Sequence, residues 1–193
     1  MMLRRMLLAF AALLLTLSAQ ALDFTVDPVH SDVGFSVRHM MVSNVNGTFG
    51  EFSGAFTLDA EGKLAALTGT IQVTSIDTNN AKRDAHLRTP DFFDVPNNPT
   101  ITFVLKSYEG DAKQGKATGT LTMRGVSKEI TLDVELSGVV VDNSKTQRSG
   151  VALTGSINRF DYGVSFSKAM ETGGLMVSDT VKLSIDLQGV VKK

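Results

Sequence analysis

The chain has 193 residues, with 19 lysines and arginines against 20 aspartates and glutamates, and a formal net charge of −1. A balance this near neutrality supplies neither the basic field that nucleic acid requires nor the cationic face that an anionic membrane surface attracts. Cysteine is absent, which excludes thiol catalysis, thiolate metal sites and disulfide scaffolding and leaves core and backbone hydrogen bonding to hold the fold.

The first residues read as an export signal. Arg4 and Arg5 give a positive start, positions 6–17 form an apolar run broken only by Thr16, and Ala19-Gln20-Ala21 is the small-x-small pattern that signal peptidase accepts. Cleavage is expected after Ala21. The run is too short to span a bilayer and has no second basic flank, so no stable membrane span is expected after processing. Removing residues 1–21 takes two arginines and no acidic residue, so the mature chain is mildly acidic. Residues 22–193 are enough for one domain with a real core. An exported protein without disulfides suits a Gram-negative periplasm.

A leading strand is expected at 24–27, with Pro28 marking its end. The stretch 30–59 organises the rest of the chain. Val33, Phe35 and Val37 alternate with Asp32, Gly34, Ser36 and Arg38, the period of a strand with one buried face. After a polar, Asn- and Gly-containing bend, Phe52, Phe56 and Leu58 resume the pattern. Phe49 falls on the other parity, so a bulge is expected near Gly50. Downstream, Leu67 to Val73, Ile101 to Leu105, Ala117 to Met123, Ile130 to Leu136, Val151 to Ile157 and Val181 to Leu187 each put apolar residues on alternate positions, with polar partners between. The connectors 59–63, 109–115, 124–127 and 142–149 are short and polar, as antiparallel hairpins require.

Positions 78–88 break the rhythm. They predict a short helix capped by Asp77 or Thr78, with Asp84 placed to pair with Arg88 one turn on, and Thr89-Pro90 stops it. Phe92 and Phe93 then offer two rings to something apolar. The segment 158–178, containing Phe160, Tyr162, Phe166, Gly173 and Gly174, is longer than an ordinary hairpin, and long loops carry function. The fold expected is all-β, an antiparallel lipocalin-like barrel of about eight strands with one short helix. Parity alone leaves a two-sheet sandwich open.

Five stretches resemble the YceI-like family of exported, lipocalin-like proteins: DPVHSDVGFSVRHMMVSNVNGTFGEFSG, RDAHLRTPDFFDVPNNPTITF, GTLTMRGVSKEITLDVEL, INRFDYGV and VSDTVKLSIDLQG. They span nearly all of residues 22–193. The resemblance implies an extended barrel enclosing a long tunnel, binding of a polyisoprenoid lipid such as an isoprenoid quinone or prenyl phosphate, a periplasmic location and a capacity to form homodimers.

The residues themselves support a binding role. An isoprenoid gains affinity by burial, at about 25 cal/mol per Å² of apolar surface, so its site needs no catalytic group, metal or cofactor. Gly54, Gly69, Gly119 and Gly155 on the inward parity would leave a channel among larger side chains, or would relieve curvature instead. The expected wall comprises Phe35, Val37, Phe52, Phe56, Ile71, Phe103, Leu121, Met123, Leu153, Leu183 and Ile185. Phe92, Phe93, Tyr162 and Met176 are expected nearer the entrance. Candidate head-group contacts are His39, at a strand end on the inward parity, and Arg83 and His86, in a cationic cluster with Lys82 and Arg88. Solvated or structural roles are the alternative for each of these. His30 with Asp27 and Ser31 is too local for a catalytic triad and reads as a hydrogen-bonded strand end. Arg124 and Arg159 read as turn-holding residues. The function expected is periplasmic transport or storage of an isoprenoid lipid. The alternatives are scavenging of other hydrophobic molecules, an enzyme acting on prenyl chains, and a filled barrel serving as an interaction module.

Overall fold

The computed structural model describes residues 20–166 and 176–191. The export signal lies outside the described residues except for positions 20 and 21, and Gly173 and Gly174 lie outside them as well. The elements are β1 (Leu22–Val26), β2 (Asp32–His39), β3 (Ser43–Phe49), β4 (Phe52–Leu58), β5 (Leu64–Gln72), β6 (Ile76–Asp77), α1 (Ala81–Leu87), β7 (Thr100–Gly110), β8 (Gln114–Met123), β9 (Val126–Val141), β10 (Gln147–Asn158) and β11 (Val177–Val191).

Three pairs of these strands are single passes of the chain, interrupted. β1 and β2 lie end to end along one edge of β11, with Val26 opposite Gly189 and Val33 opposite Ile185. The break is a short 3-10 turn at Pro28–His30, where Pro28 has no N–H to give to the ladder and the Asp27 carboxylate caps Val29. β3 and β4 are interrupted at Gly50, where the opposite parities of Phe49 and Phe52 require the register to break. β5 and β6 are separated by a 3-10 turn at Val73–Ser75. Counted as passes, the chain makes eight walls, each antiparallel to the next, and β11 closes on β1. Closure removes every free edge of a long strand, which a sandwich would leave exposed.

The interior follows the alternation. Ala117, Leu121 and Met123 of β8, Leu132, Val134 and Leu136 of β9, and Val151, Leu153 and Ile157 of β10 are buried, while Lys116–Asp133 and Lys106–Glu129 pair across the outside. One end is packed solid. The Phe24 and Phe56 rings stack at 4.9 Å over Leu58, Leu64, Val134 and Val151, all buried. At the other end, α1 and the segment leading to β7 lie across the opening.

Three local expectations are corrected. The polar bend after Val37 is not a bend: Ser43–Phe49 is a strand, paired from Gly34↔Thr48 to His39↔Ser43, and the turn falls earlier, at Met40 and Met41. Asn46-Gly47 looks like a turn, but a Cβ on Gly47 would collide with the Phe35 ring, so the glycine serves close packing. The helix starts at Ala81 and is capped by the Asn80 side chain, which accepts from the Arg83 N–H at 3.0 Å. Finally, Asp84 does not pair with Arg88. It is buried and accepts from the Thr78 N–H and hydroxyl at 3.0 and 2.5 Å, whereas Arg88 donates to the carbonyls of Thr74 and Ile76.

Phe56, expected as ligand wall, belongs to the packed end. Its replacement, Phe56→Ala, is expected to cost about 3–5 kcal/mol of stability, read as a lowered urea midpoint, while the opposite half of the barrel keeps its lining.

Candidate functional site

A cavity of about 310 Å³ occupies the half of the barrel beneath α1, and a second void of about 80 Å³ continues it toward the packed end. Both are lined by Val33, Ile71, Ile101, Leu121, Leu183 and Ile185, which therefore form a neck between them. Strand alternation brings these residues together, since Leu183 and Ile185 of β11 sit opposite Phe35 and Val33 of β2. The interior is neither a filled core nor an open tunnel. It is a blind cup.

Most of the expected residues line it. Phe35, Val37, Met123 and Met176 face the larger cavity, with Phe92 and Phe93 toward its entrance. Phe52, Phe103 and Leu153 face the inner void. Two do not: Phe56 stacks on Phe24 in the packed end, and Tyr162 is fully buried outside both voids. Among the described residues the Tyr162 hydroxyl has no hydrogen-bond partner, and burial, followed by the nearby Asp161 charge, pushes its pKa up. Of the four glycines, Gly54 and Gly69 line the inner void. At Gly119 and Gly155 the space is already taken, because an added Cβ would collide with the Phe103 ring at the first and meet Leu132 at 2.6 Å at the second. Residues beyond the expected set also contribute, including Phe49, Ile157, Val181, Val164 and Phe166. Val181 shares parity with Leu183, so alternation could have found it. Phe166 has no strand rhythm to reveal it.

The rim is aromatic. His86, Phe92 and Phe166 form a triangle, with His86 edge-on to Phe92 at 5.0 Å and to Phe166 at 5.1 Å, and Phe92 against Phe166 at 4.9 Å. Asp91 holds the His86 ring through Nε2 at 2.8 Å. His39, the last residue of β2, also lines the cavity.

Two arginines reach the cavity and differ in what remains of them. Arg159 is buried and donates to the carbonyls of Ser178, Val164, Phe166 and Val177 at 2.8, 2.6, 2.8 and 3.2 Å, so four of its five donors tie the two sides of the long loop together. Burial pulls its pKa down, opposed by the charge of Asp179. Arg83 donates through Nε to the Thr78 hydroxyl and through Nη2 to the Thr78 carbonyl, both at 2.7 Å. The Thr78 hydroxyl in turn donates to Asp84, which fixes the guanidinium without a direct carboxylate contact. Among the described residues Nη1 has no partner and no acid lies within ion-pair distance of Arg83. A preorganised cation therefore stands at the edge of an apolar cup.

Elsewhere, His30 Nδ1 meets Asp27 at 2.8 Å while the Ser31 hydroxyl bonds the Asp27 backbone carbonyl, so the three make a strand-end clasp. Arg124 donates to the Phe92 carbonyl, holding the turn against the rim. Among the described residues no group of three His, Asp or Glu side chains comes together as a metal site, and no helix is long and apolar enough to cross a membrane.

A closed antiparallel barrel with one end packed and an apolar cup at the other is a lipocalin-like calyx. The chain belongs to the YceI-like domain family, whose model matches residues 24–189. It is 42% identical to a UPF0312 protein of Staphylococcus epidermidis over 163 residues, 82% of this chain and 92% of that one. Among solved structures it resembles a Campylobacter jejuni YceI protein at 38% identity and a TM-score of 0.72, covering 86% of this chain and 96% of that one. A polyisoprenoid binding domain from Saccharophagus degradans shares the fold at 19% identity and a TM-score of 0.63, over 89% of this chain and 99% of that one.

Replacing Arg159 with Met would leave four carbonyls without their donor. Arg159→Met is expected to lower stability by about 2–4 kcal/mol, measured by thermal and urea unfolding.

Proposed function

We propose that this protein binds and carries an isoprenoid lipid in the periplasm, with the prenyl chain in the cup and the polar head at the rim beside Arg83. The observation that carries this reading is the blind, mostly apolar cavity opening next to a fixed guanidinium whose Nη1 has no partner among the described residues. The larger cavity alone is at the lower end of the roughly 300–1,000 Å³ typical of small-molecule sites. The inner void lets a chain extend past the neck toward Phe103. Burial of apolar surface supplies the affinity. An anionic phosphate or a quinone oxygen at the mouth would accept from Arg83. The family likeness to a polyisoprenoid binding domain is compatible with this ligand class, though at its low identity it speaks for the fold.

Binding without chemistry is favoured because most of the polar groups at the cavity are committed to structural partners: Arg159 to carbonyls, Thr78 to Asp84 and Arg83, His86 to Asp91. No cofactor belongs to this reading. Scavenging of other apolar molecules is the second reading, favoured by the predominantly apolar lining, since burial discriminates poorly among greasy guests.

Native mass spectrometry of protein purified from its own periplasm, followed by lipid extraction, tests the proposal. A bound isoprenoid mass is expected, and a protein recovered empty, or one that alters an added prenyl lipid, would overturn it. The chain has no tryptophan, so Leu121→Trp places a single reporter in the neck. We expect a folded variant that excludes long prenyl chains from the inner void and whose emission shifts when a short one enters. Arg83→Met is expected to weaken a prenyl phosphate by about tenfold, the worth of one charge-assisted contact of about 1.4 kcal/mol, and to leave an uncharged prenyl alcohol unchanged in a competition assay.

A further inference from the structure

The hairpin between β2 and β3 ends in three exposed apolar side chains, Met40, Met41 and Val42, with Met41 64% and Val42 78% exposed. Val42 N–H closes the turn on the His39 carbonyl at 3.0 Å. Met40 and Met41 hold its two central positions with φ of 51° and 59°. Positive φ at both central residues is the requirement of a type I′ turn, which Asn-Gly meets without strain. Large unbranched apolar residues are strained there and better hidden from water. This sequence accepts both penalties at one site.

The tip is part of the cavity rim. Met40 donates its N–H to the carbonyl of Met176 at 2.8 Å, and Met176 and His39 both line the cavity. Val177, paired with His39, accepts from Arg159, whose guanidinium lies 4.4 Å from the centre of the Phe160 ring. Phe160 is itself exposed, so a second apolar group stands on the same rim. No Asp or Glu occurs from position 33 to position 50, while Arg38 does; the acid beside it is Asp179 on β11, between the partners of His39 and Val37, whose charge acts on Arg159. Arg38 donates to the Met41 carbonyl and the Asn44 side chain at 3.0 and 3.3 Å, which braces the turn and keeps a cation at its base.

We propose that Met40, Met41 and Val42 form a docking tip that inserts into a phospholipid bilayer and holds the cavity mouth against it, with Arg38 at the level of the lipid phosphates. The inference rests on the isoprenoid reading of the cavity, because such a ligand resides in a bilayer and must cross from it to the cup without exposure to water. The whole chain's near-neutral charge argues against broad electrostatic adsorption, and the tip needs none: a short apolar wedge with one basic residue binds reversibly. The exposed valines Val139, Val140 and Val141 sit on the far hairpin, away from the cavity, and serve as the control.

The experiment is flotation of the purified full-length protein, signal removed, with vesicles of phosphatidylethanolamine and phosphatidylglycerol. The variant is Met40→Asn with Met41→Gly, which suits the turn and so folds. We expect it to partition at least about tenfold less than the parent, to take up a prenyl alcohol from detergent micelles equally well, and to extract that alcohol from vesicles more slowly. Val140→Thr with Val141→Thr is expected to float as the parent does. A parent that fails to float, a tip variant that floats like it, or a control that loses binding equally would overturn the proposal. So would a parent that sediments as a dimer and a tip variant that sediments as a monomer, since the tip would then face a second copy. Tip-dependent flotation by a parent that takes up no prenyl alcohol from micelles would support the docking while removing the isoprenoid reading.

Discussion

Closure of eight passes of chain fixes the bore, and everything about the site depends on how that bore is filled. A barrel of this size sits at the boundary where inward side chains meet across the middle or leave room for one guest. Here both outcomes occur in one molecule. At the far end Gly189 lets two phenylalanines lie over the backbone, since a Cβ there would meet Phe56 at 2.5 Å and Phe24 at 2.7 Å, and the stacked rings close the bore. Under α1 the aromatic residues lie along the wall, Phe35 against Phe49 at 5.7 Å and Phe49 against Phe93 at 6.3 Å, and the middle stays open. Glycines admit rings against the backbone in both halves, Gly189 for Phe56 and Gly47 for Phe35, and the halves differ in whether the rings stack on one another in the bore, as Phe24 and Phe56 do, or leave a cavity between them, as Phe35 and Phe49 do.

The same constraint separates what is legible in the sequence from what is not. Period-two alternation marks which residues face inward, and Phe35, Ile71, Leu121, Leu183 and Ile185 line one cavity because an inward position is a property of one strand. Whether an inward side chain meets a ligand or another side chain depends on which residues the neighbouring strands set beside it, as β1 sets Phe24 opposite Phe56, and alternation within one strand does not encode that. Phe56 and Phe35 have the same local signature and opposite fates. Gly119 and Gly155 read as openings for the same reason, and their space is taken by Phe103 and Leu132 leaning across from neighbouring strands. Sequence alone misplaces the start of the helix because Asp77, Thr78 and Asn80 are all competent caps. Burial of Asp84 selects Thr78 as its partner and leaves Asn80 to cap.

The contrast between the two cavity arginines shows how one residue type divides between structure and recognition. A guanidinium offers five donors in a rigid fork. Arg159 directs its donors to four carbonyls, which a buried cation without a carboxylate needs if it is to remain charged. Arg83 is half-buried, needs fewer internal bonds, and is held by one threonine whose own hydroxyl is oriented by Asp84. The buried carboxylate thus acts on the cation through an intervening hydroxyl. It fixes the geometry through two of the five donors and leaves Nη1 without a partner among the described residues, which is the arrangement expected where an external acceptor completes the set.

The division of labour between cup and rim bears on selectivity. Apolar burial grows with area and is nearly indifferent to the identity of the buried chain, so the cup by itself cannot tell a prenyl chain from another hydrocarbon of similar width. Length enters through the packed end, because a blind cavity penalises a chain that overruns it where an open tunnel would not. In the proposed reading, head-group chemistry enters at the mouth, where Arg83, its Nη1 without a partner among the described residues, lines the same cavity as an aromatic triangle that would exclude water around a bound head and so strengthen a single charged contact. A ligand that fits both constraints gains from the wall and from the rim together, whereas one that fits only the wall is held by burial alone and leaves a desolvated cation behind. Specificity in such a protein therefore depends more on the few polar atoms at its entrance than on the many apolar ones within.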